Sequence, residues 1–296
     1  AQALPLPGVA MRRRRLLLTG ACAGFLLTGM SFSVLGPTLP SISDTFGLAV
    51  AQAGVLFSAL QFGNLTAVFF GGLISDVIGQ RAVLLTGVGL LIAAWLGFAL
   101  SPVWPLAVVL MVCVGLGFGT AEVTMNASVA DAYAERRGRA LNLIHAFFST
   151  GAVTAPAVVA LVSRWDVSWR FVCAGIAAFG VVPLVFVLRA PFPASHRGQR
   201  PPLMQTMGRL LKQRRFLTVS ALLALYVGAM GTIAGWTFTY LVDYRGRSES
   251  YAALVVALFW IGVVIGRLTG SWVVDRVSYG LYVLTGSAAA FVAVAL

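Results

Sequence analysis

Apolar runs of bilayer length recur along the chain, separated by short breaks that hold most of its charges. At 1.5 Å per residue, about 20 apolar residues cross a hydrocarbon core of about 30 Å. Nine stretches meet that length, roughly 16–39, 50–75, 82–100, 103–130, 139–163, 169–189, 216–242, 250–274 and 280–296. The pattern predicts an all-α membrane protein with about nine membrane helices. Pro37, Pro40, Pro102, Pro105 and Pro156 fall at span ends or where a membrane helix tolerates a kink.

One break differs from the others: RAPFPASHRGQRPPLMQTMGRLLKQRR, at 189–215, is polar, basic and rich in proline. It divides the chain into a tail at 1–15, a six-helix bundle at 16–189, a linker at 190–215 and three helices of a second bundle at 216–296. The last span reaches Leu296 with no polar closing residue, so a twelve-helix chain, of which this is part, is expected.

A repeat underlies the helices. GGLISDVIGQRAVL at 71–84 returns in trace as GSWVVDRVSYGLYV at 270–283, which pairs Gly71 with Gly270 and Asp76 with Asp275, 199 positions on. At the same offset Gly29 meets Gly228, Gly36 meets Gly235, Gly63 meets Gly262, and Thr86-Gly87 meets Thr285-Gly286. Parallel repeats in a multi-span protein are the architecture of alternating-access transporters.

Composition narrows the class further. Hydrophobic residues make up 59% of the 296 and charged residues 10%, too few charges to wet a soluble protein of this size. The net charge of +12 does not form a basic groove with interleaved aromatics, so nucleic acid is not the expected partner. Twenty arginines against one lysine fit a GC-rich bacterial genome. Cys22, Cys113 and Cys173 lie in apolar spans with no CxxC and no nearby histidine, which argues against disulfides, zinc or any other metal. Met11 and Arg12–Arg15 precede an apolar stretch of some two dozen residues, longer than a signal peptide requires, so an uncleaved first helix is expected.

With the N-terminus inside, the inner loops and the linker hold sixteen basic residues, among them Arg12–Arg15, Arg81, Arg136, Arg137, Arg139 and Arg276. The outer loops hold four: Arg164, Arg170, Arg245 and Arg247. That bias places the N-terminus and the linker in the cytoplasm.

The segment after the second span resembles the signature of the major facilitator superfamily, G-x-L-a-D-r-x-G-r-k. Gly72, Asp76, Gly79 and Arg81 match it, while Ile74, Val77 and Gln80 depart from it. The second copy keeps Asp275 and Arg276 but has Ser278 in place of the glycine. The resemblance implies that this motif helps latch the two halves on the cytoplasmic side. A narrower likeness, to the L-fucose permease branch of proton-coupled sugar symporters, rests on GLGFGTAEVTMNA (115–127), RALNLIHAFFSTGAVTAP (139–156), YVGAMGTIAGW (226–236) and IGRLTGSWVVDR (265–276). In this chain His145 replaces a glutamine of that branch, and Gly36 stands where the permease has a first-helix aspartate.

Glu122 is the sharpest candidate for chemistry. It sits mid-span, about 14 Å inward of Asp131, where an ionised acid costs roughly 2.5–3.5 kcal/mol. It must face a watered cavity or keep its proton, which is what proton coupling requires; the resemblance gives the matching permease glutamate that task. The structural alternative is a hydrogen bond to a neighbouring helix. Arg267 either snorkels to the interface or pairs with a helix-end carbonyl, or else it is an interior cation for Glu122 or the solute.

Gln61 and Asn64, Asn126, and Asn142 and His145 stand at helical spacings that suit either sugar hydroxyls or interhelical glue. Tyr226 and Trp236 offer aromatic faces for a sugar, and Trp236 equally fits the interfacial belt. The run Gly115–Gly119 and the spacing of Gly262, Gly266 and Gly270 read as close-packing faces, not phosphate loops.

No nucleophile triad, zinc-protease motif or phosphate loop is found, so neither an enzyme nor a cofactor is expected. The sequence points to a monomeric, multi-pass transporter of the bacterial cytoplasmic (inner) membrane that takes up a small, sugar-like polar solute with protons. A proton-antiport exporter of drugs or metabolites is the second reading. A membrane-embedded enzyme or non-transporting membrane protein is the third.

Overall fold

The computed structural model describes residues 7–190, 192, 208–273, 277, 280–281 and 284–289. Among them there is no strand, and eight helical stretches are long and apolar enough to cross a membrane. The expected ninth span, 280–296, lies largely outside the described residues.

The first span is longer than the apolar run suggests and is broken in two, α1 (Pro7–Ser33) and α2 (Leu35–Phe46). Pro37 is the cause: it lacks an N–H, and its ring crowds the carbonyl four residues back, that of Ser33, where α1 stops. A short α3 (Val50–Ala53) leads into α4 (Val55–Ile78), followed by α5 (Gln80–Leu100), α6 (Trp104–Ala132) and α7 (Arg137–Val162). The sixth span repeats the proline break: α8 (Trp169–Phe179) ends four residues before Pro183, and α9 (Val181–Arg189) carries on. Beyond the linker come α10 (Arg214–Thr239), which runs into a wider π-type turn at Tyr240–Tyr244, and α11 (Glu249–Val273).

Successive spans run in opposite directions, so the loops gather at two ends. At the arginine-bearing end, the Gln80 side chain donates to Asp131 Oδ2 (3.0 Å) and accepts from Ser128 Oγ (2.9 Å). At the far end the Trp169 indole donates to Thr45 Oγ1 (2.9 Å), and Arg170 donates to the Ala99 carbonyl (2.7 Å).

Lipid is as apolar as a leucine side chain, so these helices associate through close approach more than through hydrophobic burial. Glycines supply that approach. Gly63 and Gly115 place α4 and α6 backbone to backbone, each lying against the other helix's carbonyl, at Val112 and Leu60 respectively. Gly117, two residues on, lies against Leu91 of α5. Gly29 and Gly151 make the same reciprocal contact between α1 and α7. The Gly115–Gly119 run is thus a packing surface, as the sequence suggested. Gly262 and Gly266 instead face open space among the described residues.

Two seams join the last two helices to the first six. At the far end, a Cβ on Gly36 of α2 would lie 2.9 Å from the Gly235 carbonyl of α10. These are repeat partners, 199 positions apart, while Gly235 itself turns toward the Phe57 ring. Along mid-depth α11 packs on α7. On α10, residues 214–229 are exposed, and only from Met230 onward does the helix bury side chains.

Candidate functional site

With glycine faces turned to α4 and α5, α6 keeps a third face for α1 and α7. Phe118 occupies it, its ring 6.4 Å from both Phe32 of α1 and Phe148 of α7. Glu122 follows one turn later on the same side, half-buried. Here the span's strongest ionisable group comes next to the seam.

Arg267 arrives from α11 and neither snorkels to an interface nor finds a helix end. Its Nη1 donates to the His145 carbonyl (2.8 Å) and to Ser149 Oγ (2.6 Å), both in the middle of α7. The Ser149 hydroxyl in turn donates to that same carbonyl (3.3 Å), which closes a three-membered polar cluster. The guanidinium carbon stands 5.8 Å from the centre of the Phe148 ring. Its charge acts on the Glu122 carboxyl and on the His145 imidazole. Among the described residues no direct ion pair joins Arg267 to Glu122; the cation is held by neutral oxygens and faces the acid through space. His145 sets its ring edge-on to Phe25, with centroids 4.9 Å apart.

The structure thus brings Glu122, His145 and Arg267 together, with half-buried Asn126 one turn beyond Glu122. Asn64 belongs to a helix interface: its Oδ1 is buried against Gly119 without a hydrogen-bond partner. Trp236 packs on Phe57 (5.6 Å) and Gly54 at the far-end seam and stays partly exposed. Gln61, Asn142 and Tyr226 are exposed.

In the signature segment, Gly79 takes φ 94°, a conformation that side chains other than glycine's rarely adopt, and so turns the chain from α4 into α5. Arg81 donates to the Leu188 carbonyl (2.7 Å), tying that turn to the end of α9. Gly72 faces open space. The side chain of Asp76, and Asp275 and Arg276 altogether, lie outside the described residues.

Sequence reading missed Phe148, Ser149 and Trp260. Spacing held a clue: Ser149 lies four residues from His145, and Trp260 lies seven from Arg267, each on the face of a residue already singled out. An apolar groove of about 300 Å³ between α1, α7 and α8, lined by Met30, Val158 and Phe171 among others, lies away from this cluster.

The description of the Major Facilitator Superfamily matches residues 21–296, nearly the whole chain. The protein belongs to the major facilitator superfamily. Its class is therefore that of a membrane transporter and not of an enzyme. It is 28% identical over 272 residues to the uncharacterized transporter y4wD of Sinorhizobium fredii, covering 90% of this chain and 70% of that one. It is 25% identical over 278 residues to sodium-dependent glucose transporter 1A of Mus musculus, covering 80% and 64%. The chain spans 70% of the length of the Sinorhizobium relative and 49% of a sodium-dependent glucose transporter 1 of Danio rerio. Among solved structures, a D-xylose-proton symporter superposes with a TM-score of 0.69 at 18% identity, over 88% of this chain and 69% of that one. That likeness establishes the helical fold.

Proposed function

We propose that this major facilitator chain belongs to a proton-coupled symporter for a small, sugar-like polar solute, working by alternating access. The observation that carries this reading is Arg267, which crosses from α11 to the middle of α7 beside Glu122. A cation and an acid on opposite sides of a seam give two states with different charge. When Glu122 is ionised, the guanidinium stabilises it across the seam. When it carries a proton, that attraction is gone, and the helices part at lower cost. A carboxyl that exchanges its proton as the seam opens couples proton flow to the motion. Amide and hydroxyl groups around it suit a solute that both donates and accepts hydrogen bonds. The sugar-transporting names among the relatives and structural neighbours support the same class.

In this proposal residues 16–189 and the helices from 216 to 296 are the two bodies that rock about the site, joined by a cytoplasmic linker at 190–215. The arginine-bearing end faces the cytoplasm of a bacterial inner membrane, the protein works as a monomer, and Gly72, Asp76, Gly79, Arg81, Asp275 and Arg276 act in gating there.

The test uses the full-length protein in proteoliposomes, with external pH recorded as D-xylose, D-glucose and L-fucose are added in turn. Alkalinisation with one sugar is expected. Glu122→Gln should abolish uphill accumulation while leaving sugar exchange within about threefold of wild type. Unchanged uphill transport in that variant would remove Glu122 from the coupling role. Uptake that needs sodium and leaves pH unchanged would replace the proton by sodium.

A further inference from the structure

Trp260 of α11 is fully buried, and its indole Nε1 has no hydrogen-bond partner. It sits at mid-depth among aromatic rings from the first six helices: Phe32 of α1 at 5.8 Å and Phe148 of α7 at 6.0 Å, both edge-to-face. Phe148 links this cluster to the polar one, because the Trp260 ring and the Arg267 guanidinium both lie against it. The tryptophan is therefore the largest fully buried side chain of α11, two turns toward the far end from Arg267.

A buried donor left unpaired costs free energy, and folded proteins keep few of them. A phenylalanine or leucine would fill the same apolar surroundings without that cost. The orphaned N–H makes sense if it is paired in another state of the molecule, and this seam is the one that alternating access has to open. When it parts, Trp260 leaves the Phe32 and Phe148 rings. Two aromatic surfaces and one donor then face the same space as the polar cluster.

We infer that Trp260 is a solute-binding residue, its indole N–H donating to an acceptor oxygen of a solute bound against the Phe32 and Phe148 rings that it leaves. The chemistry selects a class. An indole N–H donates only, so the solute must offer an acceptor oxygen, which a sugar hydroxyl or ring oxygen supplies. Aromatic faces carry the negative side of a quadrupole, so they favour the slightly positive C–H face of a pyranose or polyol ring over an anionic group. The expected ligand is a neutral, ring-shaped polyhydroxy compound. This inference rests on the symport reading and adds the residue that fixes solute orientation.

The experiment measures equilibrium binding and exchange of radiolabelled D-xylose, D-glucose and L-fucose by the full-length protein, for wild type and Trp260→Phe. The variant keeps the aromatic ring and loses only the donor. Expected is an about tenfold weaker Kd for the sugar that wild type binds. A deoxy analogue lacking the accepting hydroxyl should bind the two proteins equally. A Kd within twofold of wild type in Trp260→Phe, with wild-type transport intact, overturns the assignment and leaves the symport reading standing. Wild-type protein that handles none of the three sugars overturns both.

Should Trp260→Phe not fold, the readout moves to the wild-type protein. The indole N–H resonance of Trp260 can be identified by conservative replacement of each of the other six tryptophans. Saturating sugar must shift that resonance, and a resonance that stays in place overturns the assignment.

Discussion

Arg267 shows how one side chain sets the character of this site. Its two donated hydrogen bonds join α11 to α7 at His145 and Ser149. Such bonds inside a membrane protein contribute about 1–2 kcal/mol at most in model systems. Arg267→Ala is therefore expected to lower stability by about 1–2 kcal/mol, read as unfolding temperature in detergent, and to weaken uphill transport more than sugar binding. Equal stability and transport in the variant would make the bridge incidental. Glu122 was legible in the sequence because an acid within a long apolar span needs a reason. The partners of Arg267 were not, since they lie 122 and 118 residues away in the chain and nothing local announces them.

At the scale of the helix, the packing rule is backbone proximity. Gly151 lies directly against the Leu26 carbonyl and Gly29 against that of Phe148, so α1 and α7 are held in fixed register. That register places Phe148 and His145 beside Phe32 and Phe25. A Cβ at Gly151 meets backbone, which cannot swing aside as a flexible side chain would. Gly151→Ala is expected to cost about 1–3 kcal/mol and to impair exchange as well as uphill transport, because it displaces the helix that carries the site. Thermal unfolding and sugar exchange measured together check this; a variant with normal stability and exchange would show that α1 and α7 can slide. The glycines themselves were visible from the repeat, whereas the partner of each face was not. Gly115 and Gly262 made the same case on paper, yet only the first meets another helix among the described residues.

For the whole molecule, the far-end seam between α2 and α10 is the contact of two repeat-related glycines. Repeat-related positions that meet lie close to the axis relating the halves, where a small rotation opens or closes one end with little sliding. Gly36→Ala would wedge that seam, because the added methyl meets the Gly235 carbonyl. The expected result is a shift toward a state open at the far end. A cysteine at Gly231, half-buried on α10 beside Phe32, should then react several-fold faster with a membrane-impermeant maleimide added from outside, while a cysteine at exposed Ser248 reacts in both backgrounds. Failure of Ser248→Cys to react from outside would reverse the proposed orientation. Equal rates at Gly231→Cys would show that the glycine contact does not control the seam.

By itself the sequence determined the helical class, eight of the membrane spans, the repeat and the superfamily. Each of these follows from local chemistry: a hydrophobic run must satisfy its backbone internally to cross lipid, and charge must stay outside it. Only the tertiary structure decided which polar and aromatic groups meet. In a soluble helix the apolar stripe announces the buried face. A membrane helix is apolar toward lipid and toward its neighbours alike, so that signal is absent. Phe118, Phe148, Ser149 and Trp260 therefore read as ordinary span residues until the helices are packed, and only then does one donor prove to be without a partner.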